Sequence, residues 1–269
     1  MTKMEQAGQG AAGERHEGRV VLRLTGADRV EFLQGLVTND VKRASGLTYA
    51  ALLTPQGKYM ADFFVLARAE DLLIDVDADL AQMLAQRLSM YKLRKDVQIE
   101  ATDLLVLRGL GPVPEDGFAD PRDAALGWRA YRSAAADAGA DGAGAGSAGI
   151  DWDAIRVAHT VPETGRELDG ETYILEAGFE RMHGVDFRKG CYVGQEVTAR
   201  MKHKTELRKG FVTVEVEGEA TPGSDIVNAD GKVAGRLHTV AGDRALAYLR
   251  FDWAKGPLTA GAARVRWDG

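Results

Sequence analysis

The stretch Lys189-Gly190-Cys191-Tyr192-Val193-Gly194-Gln195-Glu196 holds the only cysteine of the chain between two glycines. The glycines indicate a backbone that turns tightly, and Gln195-Glu196 opens a predicted helix. Arg188 and Lys189 place two cations just before the cysteine. A thiol beside cations and close to a helix N-terminus ionises more readily to the reactive thiolate. Two interpretations of Cys191 therefore stand side by side: a reactive thiolate, and a small hydrophobic residue buried in the core.

The composition is that of an ordinary globular protein. The 269 residues are 45% hydrophobic and 28% charged, which excludes collagen-like and wholly disordered classes. No apolar run approaches the ~20 residues of a bilayer-spanning helix, and residues 1–18 lack the apolar segment of a secretory signal. One cysteine allows neither an intrachain disulfide nor a cluster held by four cysteines of this chain, and the five histidines show no metal-ligand spacing. We predict a cytoplasmic protein with no metal site and no membrane contact.

Charge is unevenly distributed along the chain. The net charge is -6, yet residues 188–209 carry seven basic and two acidic residues. One interpretation is a solvated helix face. The other is an anion or partner site that attracts a polyanionic small molecule, an RNA backbone or a protein surface. The residues predicted to form this basic patch are Arg200, Lys202, Lys204, Arg208 and Lys209.

Hydrophobic periodicity predicts an α+β body over residues 19–205 and a small all-β domain over 206–269. Residues 1–18 are predicted to be a disordered tail, and the low-complexity stretch 134–149 a surface loop. The predicted helices are Ala27–Thr38, Asp79–Leu93, Asp151–His159, Ile174–Met182 and Gly194–Lys202. The predicted body strands are Val20–Leu24, Ala50–Leu53, Ala61–Ala67, Leu72–Val76, Val97–Glu100, Leu104–Arg108 and Trp128–Arg132. Four further strands suggest a C-terminal barrel or sandwich: Phe211–Val216, Val233–Val240, Ala245–Phe251 and Arg264–Trp267.

The eight-residue stretch resembles the K-G-C-[FY]-x-G-Q-E signature of the YgfZ folate-binding proteins. Leu24–Val41 and Leu53–Phe64 resemble two further blocks of that family, in the same order along the chain. These proteins are relatives of the glycine-cleavage T-protein, an aminomethyltransferase, and of the mitochondrial iron–sulfur cluster assembly factor. The resemblance implies a T-protein-like fold, in which an α+β body with subdomains around a central channel is followed by a small β-barrel.

The resemblance also implies a ligand, tetrahydrofolate or a one-carbon derivative, bound in the channel. A folate-contacting tryptophan of the family falls on Trp152, and a second tryptophan position falls near Arg19. The acidic T-protein residue that faces the reactive folate nitrogen falls on Asp62, and the pterin-binding glutamate of its L-E-A-G segment on Glu176. A carboxylate suits a pterin because it can accept two adjacent N–H donors. Without the resemblance, these carboxylates are a turn residue and an exposed helix residue, and Trp152 is a core anchor.

Three functions follow as hypotheses. The first is a folate-binding accessory factor that supports iron–sulfur cluster assembly and, through it, iron–sulfur-dependent tRNA modification, with Cys191 near the channel as a thiolate. The second is an aminomethyltransferase of the glycine cleavage system. The third is a non-catalytic module that binds RNA or protein through the basic patch. Whether the protein is an enzyme stays open; if it is, one-carbon or thiol chemistry is expected.

Overall fold

The computed structural model describes residues 13–43, 46–134, 149–204 and 206–269. Its body contains two antiparallel sheets, with strand orders β3-β4-β5-β2-β6 and β1-β7-β9-β8. The strands are β1 (Glu14–Arg15), β2 (Arg19–Thr25), β3 (Leu47–Leu53), β4 (Tyr59–Ala67), β5 (Leu72–Asp77), β6 (Gln98–Ala101), β7 (Leu104–Gly109), β8 (Gly117–Ala119) and β9 (Trp128–Ser133). The helices are α1 (Arg29–Gln34), α2 (Ala78–Lys92), α3 (Trp152–Ala158) and α4 (Gln195–Lys204), with a 3₁₀ turn at Ala124–Leu126.

The five-stranded sheet separates two hydrophobic cores. Ala50 and Leu52 of β3 pack with α1 and α2 on one face, whereas Tyr49 and Leu53 pack against residues 161–192 on the other. Successive side chains of a strand point to opposite faces, so a strand covered on both sides reads as a continuous apolar run. This is why Leu47–Leu53 shows almost no polar residues.

The C-terminal domain is a closed six-stranded barrel of order β10-β13-β12-β11-β14-β15. Its strands are β10 (Lys209–Glu217), β11 (Asp225–Asn228), β12 (Val233–Ala241), β13 (Arg244–Arg250), β14 (Leu258–Ala260) and β15 (Ala263–Arg266). Alternate residues such as Val214, Leu237 and Ala247 fill its interior. The predicted fold class, a T-protein-like α+β body followed by a small barrel, is confirmed.

Two predicted helices differ from the structure. Ile174–Met182 is a series of turns, because Gly178 adopts a φ of +76°, which ends a right-handed helix. Ala27–Thr38 is helical only over Arg29–Gln34, since Val37 leaves the helix to pair with Leu52 at the sheet edge.

The segment just before β2 is ordered, contrary to the predicted tail over 1–18. Glu14 and Arg15 pair with Arg108 and Leu107, which adds a strand to the second sheet. Residues 1–12 of that tail and residues 135–148 of the predicted surface loop lie outside the described residues. Among the described helices, none is long and apolar enough to cross a membrane.

Candidate functional site: the Cys191 loop and the Trp152 cavity

The segment that leads to Cys191 is bonded to the connection between α1 and β3. The Asn39 side chain donates to the His183 carbonyl at 2.6 Å, and the Thr38 hydroxyl donates to the Gly184 carbonyl at 2.7 Å. The Asp186 N–H donates to the Thr38 carbonyl at 3.0 Å. Two sequence blocks that are about 145 residues apart, 144 and 146 in these two side-chain bonds, therefore meet beside the cysteine.

Lys189 continues this attachment. Its side chain is buried at 3% exposure, and its Nζ donates to the Gln34 carbonyl at 2.6 Å and to the Val37 carbonyl. The Nζ also lies 5.2 Å from the centre of the Tyr192 ring. Burial lowers the pKa of Lys189 to about 8. The sequence suggested that this cation promotes ionisation of the Cys191 thiol. In the structure, its ammonium group instead donates hydrogen bonds at and just after the end of α1.

The residues after the cysteine pack against the hairpin between β3 and β4. Gly194 has a φ of +82°, and a Cβ there would lie 2.6 Å from the Thr54 carbonyl oxygen. Gly57 faces it with a φ of +74°, and its Cβ would lie 2.8 Å from Val197 Cβ. Gly190 differs from both, because a Cβ there would meet nothing within 4 Å. Only the second of the two glycines around Cys191 is therefore required by the backbone.

Cys191 is exposed, between buried Lys189 and buried Tyr192. The interpretation of Cys191 as a buried hydrophobic residue is thus wrong. Gln195 donates weakly back to the Gly190 carbonyl at 3.4 Å, and Glu196 follows in the first turn of α4. Among the described residues, no group of three or more His, Cys, Asp and Glu could hold a metal ion.

The predicted basic patch is partly neutralised. Its members are Arg200, Lys202, Lys204, Arg208 and Lys209, on α4 and at the start of β10. Lys202 forms an ion pair with Glu180, and the Nζ of Lys209 lies 3.7 Å from a carboxylate oxygen of Glu176. Arg200 and Arg208 are exposed and form no ion pair within the described ranges. Arg188, at 93% side-chain exposure, adds a further cation three residues before Cys191.

A cavity of about 440 Å³ lies between the N-terminal segment and α3. Its walls include His16, Arg19, Asp77, Arg108, Trp152 and Thr164. The Arg108 guanidinium carbon lies 4.2 Å from the Trp152 ring centre, and the buried Trp152 Nε1–H has no hydrogen-bond partner in the described ranges. The structure thus brings Trp152 and Arg19, two of the predicted folate contacts, into one cavity. Cys191 does not line it.

Asp62 lies behind this cavity. The carboxylate is buried at 5% exposure and accepts hydrogen bonds from Tyr59 OH at 2.6 Å, Tyr49 OH at 2.9 Å and the Thr164 hydroxyl. Burial, reinforced by the charge of Asp62, raises the pKa of Tyr59 and Tyr49. Both carboxylate oxygens of Asp62 therefore already accept hydrogen bonds. Asp62 does not line the cavity itself, and its link to the cavity is the hydrogen bond from Thr164, which does.

Glu176 lies elsewhere, at the contact between body and barrel. Its carboxylate is 8% exposed and accepts a hydrogen bond from Tyr248 OH at 2.6 Å, and its carbonyl accepts the Phe211 N–H at 2.9 Å. Burial and the Glu176 carboxylate raise the pKa of Tyr248. The structure therefore does not bring Glu176 to Trp152 and Arg19.

A buried charge network, which the sequence reasoning missed, forms the floor between the two sheets. Asp75 accepts hydrogen bonds from Arg19 Nε at 2.6 Å, Arg129 Nη1 at 2.9 Å and Tyr131 OH at 3.2 Å. The available signal was an aspartate inside the apolar strand Leu72–Asp77, because a charge in a fully buried strand needs a buried partner. Arg19 is therefore already paired, so it is a wall residue with a fixed position.

A folate fits part of this arrangement. About 440 Å³ lies within the common range of ligand pockets, roughly 300–1,000 Å³. Trp152 offers an aromatic ring and an N–H that has no partner among the described residues. Arg19 and Arg108 lie beside it, already paired with Asp75 and Glu14. Asp62 does not fit the role of a pterin acceptor here, since both its oxygens already accept hydrogen bonds from other side chains. Glu176 does not fit it either, because Glu176 does not line this cavity and its Oε2 accepts from Tyr248 OH at the barrel contact.

The two-sheet body and closed barrel define the chain as a member of the aminomethyltransferase T fold class. A glycine cleavage system aminomethyltransferase T from Bartonella henselae superposes with a TM-score of 0.78, at 14% identity, over 95% of this chain and 84% of that chain. At this identity the likeness establishes the fold alone. Residues 208–268 match the family model described as CAF17, C-terminal beta-barrel domain.

The particular family follows from sequence identity. The chain is 32% identical to the mitochondrial iron–sulfur cluster assembly factor IBA57 of Mus musculus, over 91% of this chain and 79% of the relative. For the Homo sapiens protein of the same name the values are 32%, 94% and 81%. The chain belongs to the IBA57 family, which confirms the resemblance to the iron–sulfur assembly relatives of the T-protein.

Proposed function

We propose that this protein supports iron–sulfur cluster assembly and that Cys191 supplies one thiolate to the iron of a cluster in transit. The observation that carries the proposal is an exposed thiol held in a loop that is anchored on both sides, in a chain of the IBA57 family. Iron in a cluster prefers thiolate ligands, and clusters commonly take four. Since this chain has one cysteine, the remaining ligands come from a partner protein or from small thiols.

The charges near the loop suit an acidic partner. Arg188, Arg200 and Arg208 are exposed on a chain whose net charge is -6. Arg200 and Arg208 form no ion pair within the described ranges, and Arg188 lies 3.7 Å from a carboxylate oxygen of Asp186. Exposed cations raise the association rate with an acidic surface and orient it. An iron–sulfur carrier or client with an acidic face around its own thiols is the partner that this surface supports.

We further propose that the Trp152 cavity binds tetrahydrofolate or a one-carbon derivative. A bound reduced folate would supply a carrier for one-carbon groups. Trp152 stacks on the ligand and donates its free N–H to an acceptor. Thr164 lines the cavity and donates its hydroxyl to the Asp62 carboxylate behind it. Support of tRNA modification follows indirectly, through iron–sulfur enzymes that depend on the assembled clusters.

The thiol proposal is tested in a strain that lacks the protein. Cys191→Ser is expected to leave iron–sulfur enzyme activity at the level of the deletion, whereas Ser224→Ala, a substitution in the barrel, restores it. In vitro, the full chain with ferric iron, sulfide and glutathione should develop thiolate-to-iron absorption that Cys191→Ser and N-ethylmaleimide-treated wild type both lack. Full complementation by Cys191→Ser would refute the thiolate role.

The folate proposal is tested by calorimetric titration of tetrahydrofolate. Trp152→Ala is expected to bind at least tenfold more weakly than wild type, a loss of about 1.4 kcal/mol or more. Trp253→Ala is the matched control, because Trp253 also stacks on an arginine, Arg250 at 3.6 Å, but lies on the barrel. Absence of binding to wild type would remove folate from the proposal and leave the Cys191 role standing.

Aminomethyltransferase activity is the second candidate, and the shared fold favours it. The discriminating assay is ammonia release from an aminomethyl-lipoyl carrier on addition of tetrahydrofolate, which we expect to be absent. An RNA-binding module is less well supported, because Lys202 and Lys209 have acidic neighbours; RNA binding would weaken steeply with salt. The cytoplasmic location stays a prediction from the sequence; the two relatives above are named mitochondrial.

A further inference from the structure

Lys189 is a buried lysine with an unusual set of partners. Burying an ammonium is costly unless it is well paired. Within the part of the chain that the structure describes, Lys189 forms no ion pair; it donates to the Gln34 and Val37 carbonyls, and the charges of Asp40 and Asp186 act on it from a greater distance. The Gln34 carbonyl lies at the end of α1, where helix carbonyls lack intrahelical partners and the helix dipole favours a cation. The Val37 carbonyl lies in the connection that follows the helix. An apolar residue would fill the same space at lower cost, so the cation has a task that packing alone does not explain.

The position of Lys189 within the loop indicates that task. Two bonds from Thr38 and Asn39 attach the segment at His183 and Gly184, and the Asp186 N–H bonds to Thr38. Lys189 provides the last attachment before the cysteine, and buried Tyr192 provides the next one after it. Between these two anchors lie Gly190, whose carbonyl accepts a weak hydrogen bond from Gln195 at 3.4 Å, and exposed Cys191. Without Lys189, the loop would lose its buried side-chain anchor next to the cysteine. The packing of Phe187, the Arg188 N–H bond to Asp186 at 2.7 Å and the weak Gln195 bond to Gly190 would remain.

We propose that Lys189 is the positioning residue of Cys191: it latches the cysteine loop to the end of α1, so that the thiol is presented in one fixed place. The α1–β3 connection is then part of the cysteine site, although the Lys189 bonds span 152 and 155 residues of sequence. The inference rests on the proposed role of Cys191 as an iron ligand. The latch keeps the thiolate ordered before a cluster arrives, because a loop ordered beforehand loses less entropy on binding.

The experiment compares Lys189→Met with Lys92→Met in the full chain. Lys92 is the matched control, because its Nζ also donates to a backbone carbonyl, that of Val97 at 3.2 Å, at the far end of α2. Hydrogen exchange is expected to become at least tenfold faster over residues 187–191 in Lys189→Met and to be unchanged there in Lys92→Met. In the iron, sulfide and glutathione assay, cluster absorption per folded molecule should fall at least fivefold in Lys189→Met, although Cys191 still reacts with N-ethylmaleimide.

Wild-type exchange and wild-type cluster yield in Lys189→Met would overturn the latch. If that variant does not fold, Lys189→Gln, which keeps a shorter and uncharged donor, is measured in the same way; faster exchange over 187–191 supports the latch and unchanged exchange overturns it. The exchange measurement needs no cluster. A wild-type protein that binds no cluster would therefore refute the proposed function, while the exchange data still decide the role of Lys189.

Discussion

The two glycines around Cys191 should respond in opposite ways to the same substitution. Gly194→Ala places a Cβ 2.6 Å from the Thr54 carbonyl oxygen and 3.0 Å from Gly57 Cα, on a residue whose φ is +82°. Gly190→Ala places a Cβ in open space, with nothing within 4 Å. Both changes add one methyl group within three residues of the cysteine, so the pair isolates the effect of backbone geometry.

The cost of Gly194→Ala has two sources. A non-glycine residue in the left-handed region costs about 1–2 kcal/mol. Overlap with the carbonyl of Thr54 and the backbone of Gly57, which pack tightly, adds about 1–3 kcal/mol. The sum is a loss of about 2–5 kcal/mol in the free energy of unfolding. Gly190→Ala has neither a left-handed backbone nor a steric overlap, and the added methyl group reduces the conformational entropy of the unfolded chain. The free energy of unfolding should therefore change by no more than about 1 kcal/mol.

Urea unfolding of wild type and both variants, followed by circular dichroism, measures these free energies. A loss of at least about 2 kcal/mol for Gly194→Ala alone would support the packing of the cysteine loop against the β3–β4 hairpin. Equal losses for the two variants, or a loss below about 1 kcal/mol for Gly194→Ala, would refute it.

Asp75→Asn should lower the free energy of unfolding by about 3–5 kcal/mol, because two buried arginines lose their shared carboxylate; Asp116→Asn, which breaks an exposed arginine pair, should cost below about 1 kcal/mol. Equal losses on urea titration would contradict a role for burial. Between pH 7 and pH 5, the free energy of unfolding should fall by up to about 2 kcal/mol more in wild type than in His16→Gln. Burial, then nearby arginines, holds the pKa of His16 below 6.5 in the fold, so below that pH the unfolded chain takes up the proton; identical pH profiles would count against this. Tyr248→Phe should lower the melting temperature by about 3–8 °C, because Glu176 loses its hydroxyl donor; calorimetry showing no change would argue that this contact between body and barrel is dispensable.

The sequence predicted the longer strands well, because their signals are local, and it missed the short strands β1, β8, β11 and β14, two of which belong to the barrel. Apolar runs and turn residues mark strands such as Leu72–Asp77 and Val233–Ala241 within a residue or two. The same reasoning was wrong for Ile174–Met182. Its apolar residues are buried at helical spacing, but Gly178 at φ +76° turns the chain instead. Hydrophobic spacing therefore indicates which residues are buried. It does not establish a helix, because a single glycine in the left-handed region ends one.

The site was harder to predict because its contacts are long-range. The sequence identified Cys191, Trp152 and Arg19, and the structure shows the first exposed and the other two in one cavity. It could not show that Lys189 turns away to α1, because that contact joins positions more than 150 residues apart. The sequence also could not show that Glu176 faces the barrel. A motif gives the position of a carboxylate but not its hydrogen-bond donor, which here is Tyr248, 72 residues further along the chain.

The thiol of Cys191 and the Trp152 cavity lie at separate places in this molecule. Any coupling between them must therefore pass through the structure that lies between them. The sequence placed Cys191 near the folate channel, but the cysteine does not line the Trp152 cavity. Its loop instead leans on α1 and on the β3–β4 hairpin. A ligand in the cavity therefore influences the thiol only through elements that touch both. Strand β4 is one such element, because Asp62 on it reaches the cavity through Thr164, while the hairpin before it packs on Gly194. Under the two proposals above, folate in the cavity and a cluster at Cys191 would therefore be coupled through the sheet and not by direct contact.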